Sequence, residues 1–337
     1  MLKLLTGASA LAAFVFATLG ATPASAAEPM KVRLSWVPFA IQAPWYVGIK
    51  KGWFEAEGID VDLEDGKGSS LTVNLVGAGN YDVGYANAGA MAIARDKAGM
   101  PIKSLMNPVR LPSIGLWVDK KSGIKTVRDA EKKGDFRITF TQGSFEGPFM
   151  NAFIKSGGGN VANFKLMNVE FQAKMSLYLA GESDGVVTSI PFFAPVLDVK
   201  KPSYAISFAS VGLQIPDHGV IAHEDTIANK PKQLAAIVKV FSRAWDHMLK
   251  SDANAVEGIK IMMAMRPKQK ATFDYIKAQW DNYLPLIDTV ASKGKPAGWQ
   301  APEDWATAIK LLIDSGVVKP GAKPTDFYTN KFFDGMS

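Results

Sequence analysis

The chain has 337 residues, 47% hydrophobic and 21% charged, with 30 Gly, 19 Pro and no Cys, which excludes wholesale disorder and collagen-like repeats. Without cysteine there is no disulfide scaffold, no thiolate metal site and no cysteine nucleophile, and the three His leave little material for zinc. The net charge of +6 comes from 38 basic and 32 acidic residues interspersed along the chain, so no nucleic-acid arm is expected.

The first 26 residues read as an export signal. Lys3 is a short positive segment, Leu11 to Leu19 an apolar one, and Ala24-Ser25-Ala26 a small-residue cleavage site. The apolar stretch is too short to span a membrane and is broken by Gly20 and Pro23. No Cys follows it, so no lipid anchor is expected. The expectation is an exported protein, cleaved after Ala26 and, in a bacterium, periplasmic or on the outer surface.

From Lys31 the pattern alternates between strand and helix. Lys31 to Trp36 and Ile59 to Leu63 alternate polar and apolar residues as strands do. Between them, Pro44 to Glu57 has helical spacing and stops at Gly58. A helix from Ser69 to Val76, a strand Tyr81 to Tyr85, a helix Asn87 to Ala98 and a strand Ile102 to Met106 follow. The grammar restarts with strands Ile114 to Val118 and Phe136 to Phe140 around a helix Thr126 to Lys133. A helix opened by Gly143-Ser144 runs to Lys155, then a helix Ala173 to Ala180, a strand Asp184 to Thr188 and a short helix Pro191 to Leu197. Strands Tyr204 to Ala209 and Gly219 to Ala222 complete this half. After residue 225 only helices are expected: Pro231 to Lys250, then about 252–265, 268–283 and 303–314, with coil from Pro320. Such units imply mostly parallel sheets flanked by helices. Because no linker separates the halves, two lobes joined by crossing segments near 108–113 and 210–218 are expected.

Four segments follow the carboxyl ends of expected strands, where open α/β sheets bind ligands. The first, Trp36 to Tyr46, gathers Trp36, Gln42, Trp45 and Tyr46, either as an aromatic wall for a flat ligand or as anchors of the first helix. The second, Asp65 to Ser70, is a glycine turn in which Ser69 and Ser70 cap a helix or present free N–H groups to an anion or carbonyl. Its lysine spacing does not fit a nucleotide P-loop. The third, Ala86 to Gly89, places Asn87 as a cap or a ligand contact beside small residues. In the fourth, Thr141 to Pro148, Ser144 can cap a helix and Glu146 can accept N–H groups from a ligand or complement the helix dipole. No nucleophile elbow or zincin motif is present. His218 and His223 read as strand-flanking surface residues, and Lys268-Gln269-Lys270 as a solvated face.

These residues resemble a known family. The stretch from Leu34 to Ser70 is similar to the start of periplasmic binding proteins of nitrate/taurine/sulfonate-type ABC importers, and more narrowly to the branch related to thiamine-pyrimidine synthesis proteins. The matching residues are Trp36 and Pro38, Gly52, Phe54, Gly58, Ile59 and Val61, and the turn Gly66, Gly68, Ser69, Ser70. Asp82-Val83-Gly84, Gly99 with Pro101-Ile102, Gly181 with Asp184-Gly185, and Asn229-Lys230-Pro231 through Trp245 continue the match across the chain. Two features depart from the branch. Where many members carry a His after the W-x-P segment, this chain has Gln42, and the Cys-rich iron motif and active-site His of the synthase relatives are both absent.

The resemblance implies a two-lobe type II periplasmic binding protein that closes on a small molecule. Lobe I would comprise 27–111 and 215–337, and lobe II 112–214. Lobe I would supply Trp36, Gln42, Trp45, Tyr46, Ser69, Ser70 and Asn87; lobe II would supply Ser144, Glu146 and Ser189. The implied partners are an ABC permease and its ATPase, for a monomer without cofactor, metal, membrane anchor or catalysis. A planar heterocycle such as a thiamine-precursor pyrimidine is the ligand expected from the aromatics, with a sulfonate, taurine or nitrate as the alternative. An exported enzyme or a sensor subunit on the same fold are the rivals.

Overall fold

Among the described residues, ten strands assemble into two five-stranded sheets, ordered β2-β1-β3-β10-β4 and β7-β6-β8-β5-β9. The first sheet holds β1 (Glu28–Leu34), β2 (Ile59–Glu64), β3 (Val83–Asn87), β4 (Ile102–Met106) and β10 (His218–His223). The second holds β5 (Ile114–Asp119), β6 (Phe136–Phe140), β7 (Phe164–Asn168), β8 (Gly185–Ser189) and β9 (Ser203–Ser207). This computed structural model describes residues 27–142, 144, 146–334 and 336. The expected export segment, with Gly143 and Phe145, lies outside the described residues.

Each sheet is mostly parallel with a single reversed strand. In the first, β10 pairs antiparallel with both β3 and β4; in the second, β5 pairs antiparallel with both β8 and β9. The other pairings are parallel. These reversed strands are the ones the chain enters on crossing from one sheet to the other, through 107–113 and 208–217. Their amino ends therefore lie beside the carboxyl ends of their neighbours: Ile114 faces Ser189, and His218 faces Asn87. Burial follows position. The central β3 is buried along its whole length, whereas the edge strand β2 alternates buried and exposed residues.

Most expected helices form, with corrections at their ends. The segment Pro44 to Glu57 is two helices, Ala43–Lys50 and Trp53–Ala56, because Gly52 takes φ +67° and ends the first. Ser144 does not cap a helix: a 3₁₀ turn Gly147–Phe149 intervenes and the helix begins at Met150. The expected helix 268–283 starts only at Phe273, capped by the Thr272 hydroxyl, which accepts the Tyr275 N–H. Strand β7 and a helix Glu224–Asn229 were not expected from the sequence pattern. The C-terminal segment adds Tyr328 to the free edge of β4 through Ser104.

The crossings are pinned from both sides. Arg110, 4% exposed, donates to the carbonyls of Ile287, Pro296 and Trp299 and to Asp288 Oδ1 at 2.6 Å. Asp217, fully buried, donates its N–H to Val109 O, while its own carbonyl accepts Asn107 Nδ2. No helix among the described residues is long and apolar enough to cross a membrane.

Candidate functional site: a cavity between the two sheets

A cavity of about 550 Å³ lies between the sheets, lined from both. Surface hollows of similar size, such as the one around Lys50 and Met265, draw on one side of the molecule only. The carboxyl end of β1 contributes Ser35, Trp36 and Phe39, and the glycine turn contributes Lys67, Gly68 and Ser69. That turn packs against the end of β1 so closely that a Cβ on Gly66 would meet Leu34 O at 1.9 Å, so only glycine fits. From the second sheet come Ser144 and Glu146 after β6, Phe171 after β7, and Ser189 and Phe192 after β8. Ser113 and His218, at the amino ends of the reversed strands, close the floor with Tyr283.

The walls are aromatic and meet across the gap. Trp36 and Phe171 lie 5.1 Å apart at 50°, and Phe39 and Phe192 lie 5.8 Å apart edge to face. The Tyr275 hydroxyl donates to Phe192 O at 2.8 Å, joining the helix Phe273–Tyr283 to the helix Ile190–Lys200. A flat ring can lie against such faces, whose π-surfaces favour stacked or edge-on contact.

The polar groups are few and tightly placed. Glu146 is 2% exposed and Lys174 fully buried; Lys174 Nζ donates to Glu146 Oε1. Lys174 also sits 4.6 Å from the Phe171 ring centre. Burial lowers the Lys174 pKa, and the Glu146 charge and hydrogen bond only partly offset it. Burial likewise pushes the Tyr283 hydroxyl well up, so it stays protonated. Ser35 Oγ, just past the end of β1, is buried and has no hydrogen-bond partner among the described residues.

Five of the ten residues singled out from the sequence line the cavity: Trp36, Ser69, Ser144, Glu146 and Ser189. The other five lie elsewhere. Trp45 is fully buried in the core, stacked on Phe241 at 4.0 Å, because the first helix turns that face toward the helix Pro231–Leu249. Tyr46 is buried beside Asp65 and Arg266, and burial raises its pKa to about 12. Gln42 is buried and closes its own turn by accepting the Phe39 N–H at 3.0 Å. Ser70 is one residue past the cavity-lining Ser69 on the helix Ser69–Gly77. Asn87 caps the helix Ala88–Ala98 and donates to Asp217 Oδ1 at 3.0 Å.

His218 is the opposite case. Read from the sequence as a surface residue, it is 8% exposed and lines the cavity floor. Phe39, Phe171, Phe192 and Lys174 also escaped the sequence reading.

The segment 41–255 matches the family described as NMT1/THI5 like. The chain belongs to that family. A formylaminopyrimidine-binding protein from Halalkalibacterium halodurans is 24% identical over 293 residues, covering 85% of each chain. Among solved structures, the periplasmic nitrate-binding protein NrtA of Synechocystis PCC 6803 superposes with a TM-score of 0.69 at 13% identity, over 91% of this chain and 87% of that one. The periplasmic aliphatic sulphonate-binding protein SsuA of Escherichia coli gives 0.68 at 13%, over 91% and 99%. The fold of this NMT1/THI5-like chain is thus the periplasmic-binding-protein fold, and the cavity lies between its two sheets.

Proposed function

We propose that the cavity is the ligand site of an importer's binding component and that its ligand is a planar heterocycle carrying N–H donors. The chain is a solute-binding protein of ABC-importer type. Its lobes are 27–111 with 215–337, and 112–214, and the ligand stabilises their closed arrangement by touching both. The carrying observation is that Trp36 and Phe171 reach from opposite sheets to within 5.1 Å of each other. Glu146 lines the same space and supplies an acceptor for ligand N–H groups. The likeness to a formylaminopyrimidine-binding protein supports the same ligand class.

The protein works in the periplasm as a monomer after cleavage at Ala26, hands its ligand to a permease driven by an ATPase, and performs no turnover. A sulfonate, taurine or nitrate is the second reading, favoured by Lys67 and the N-terminus of the helix Ser69–Gly77 at one end of the cavity. A thermal-shift panel of formylaminopyrimidine, other pyrimidines, taurine, alkanesulfonates and nitrate tests the choice. A true ligand at 100 times its Kd adds about 2.7 kcal/mol of stability. A shift with pyrimidines alone supports the proposal; a shift confined to the anions overturns the ligand class.

A further inference from the structure

His218 stands where the reversed strand β10 begins, at the floor of the cavity. Its ring packs against Phe39, with centroids 6.2 Å apart, and against Tyr85, 5.8 Å apart. His218 Nδ1 lies 2.5 Å from Asp217 Oδ1. The same buried carboxylate accepts Asn87 Nδ2 at 3.0 Å and the Ser113 N–H at 2.7 Å. Burial alone would raise the Asp217 pKa, but the neighbouring imidazole and the hydrogen bonds from His218 and Ser113 hold it below the usual carboxylate value.

An ionised carboxylate only accepts, so Nδ1 must carry the proton that bridges it to Asp217. In the imidazole tautomer that this bond selects, the proton sits on Nδ1. Nε2 is then a bare acceptor. It has no hydrogen-bond partner among the described residues, and the residue borders the cavity.

We propose that His218 reads the ligand: Nε2, kept bare by Asp217, accepts an N–H from the side of the first sheet while Glu146 accepts another from the second. This rests on the reading of the cavity as the ligand site, and it sharpens the ligand class. The favoured molecule is a planar ring with N–H donors on two edges, so that each lobe holds one edge. Nitrate and sulfonate oxygens would face two acceptors and be rejected. Asp217 acts as a positioning residue: it touches no ligand, but fixes which nitrogen of His218 is free.

The test combines two readouts on the full chain. In ¹⁵N-histidine-labelled protein at pH 7.5, His218 is expected to show a protonated Nδ1 and an unprotonated Nε2 whose resonance moves on adding formylaminopyrimidine. His218→Asn keeps an N–H for Asp217 but offers no acceptor at the Nε2 position, whereas His218→Gln keeps an amide there. Calorimetry should find formylaminopyrimidine weakened about tenfold or more by His218→Asn, which keeps the donor to Asp217 and should melt near the wild-type temperature, while His218→Gln, measured below its lowered melting temperature, retains more of the affinity. A protonated Nε2 in the wild-type protein, or wild-type affinity in a folded His218→Asn, overturns the proposal. Failure of the ligand reading is separately visible, because wild-type protein would then ignore formylaminopyrimidine while the Nε2 signal still decides the state of His218.

Discussion

Asp217 Oδ2 accepts the backbone N–H of Ser113 at 2.7 Å, and this bond ties the second crossing segment to the first where both enter reversed strands. In the proposed two-lobe closure the crossings would serve as the hinge, and this pair would couple them. Asp217→Asn removes the charge and mispairs one of three donors. A destabilisation of about 2–4 kcal/mol is expected at neutral pH.

The pH dependence has a defined sign. The folded state holds Asp217 ionised to lower pH than the unfolded chain, whose carboxyl titrates near the ordinary 3.8. The unfolded chain therefore takes up the proton first, so this contribution is present above that pH and is lost as pH falls toward the depressed folded value. Denaturant melts of wild type and Asp217→Asn should differ most near neutrality and converge in acid. A gap that stays constant below pH 4 would contradict the assignment.

Glu146 is held by Lys174, so removing its charge has two consequences. Glu146→Gln leaves the buried ammonium uncompensated, which costs about 3–5 kcal/mol unless Lys174 releases its proton. The double change Glu146→Gln with Lys174→Met should recover much of that loss in a thermal melt. Ligand binding separates the candidate classes. A ligand donating N–H groups should bind Glu146→Gln more weakly, whereas an anion should bind it more tightly beside the freed cation. Tighter taurine or alkanesulfonate binding by this variant would reverse the ligand reading.

The hydroxyl bond from Tyr275 to Phe192 O at 2.8 Å joins the helix Phe273–Tyr283 to the helix Ile190–Lys200, which follows β8. A bond of this kind contributes about 1 kcal/mol net, so Tyr275→Phe should shift the ligand-free equilibrium toward the open form by about fivefold. Small-angle scattering should report a larger radius of gyration for the ligand-free variant and the wild-type value once ligand is added. Identical radii without ligand would show that the contact does not hold the lobes.

The sequence made the strand–helix alternation legible because each central strand is a short apolar run closed by glycine or a capping residue. The rule that ligands sit beyond carboxyl strand ends located Trp36, Ser69, Ser144 and Glu146 for that reason, whereas Ser189 came only with the family resemblance. It failed in two physical situations. Strand β7 (Phe164–Asn168) lies at a sheet edge, is buried only at Phe164 and lacks the apolar run of the central strands, so the junction that presents Phe171 and Lys174 does not stand out. In reversed strands the amino end faces the crevice, and periodicity carries no direction, so Ser113 and His218 were hidden although β5 and β10 themselves were visible. Trp45 and Tyr46 show the converse limit: an aromatic in a first helical turn faces ligand or core according to a packing partner, here Phe241, that lies far along the chain.

The most direct measurement is a calorimetric titration of formylaminopyrimidine into wild type and Trp36→Ala. Stacking of a heterocycle on an aromatic ring is worth roughly 1–3 kcal/mol, and Trp36 faces Phe171 across the cavity rather than lying in the core. The wild-type protein should bind, and Trp36→Ala should bind about 5- to 150-fold more weakly at an unchanged stoichiometry. Equal affinity in the two proteins, or no binding by wild type alongside tight binding of a sulfonate, would contradict a planar heterocycle held between the two sheets.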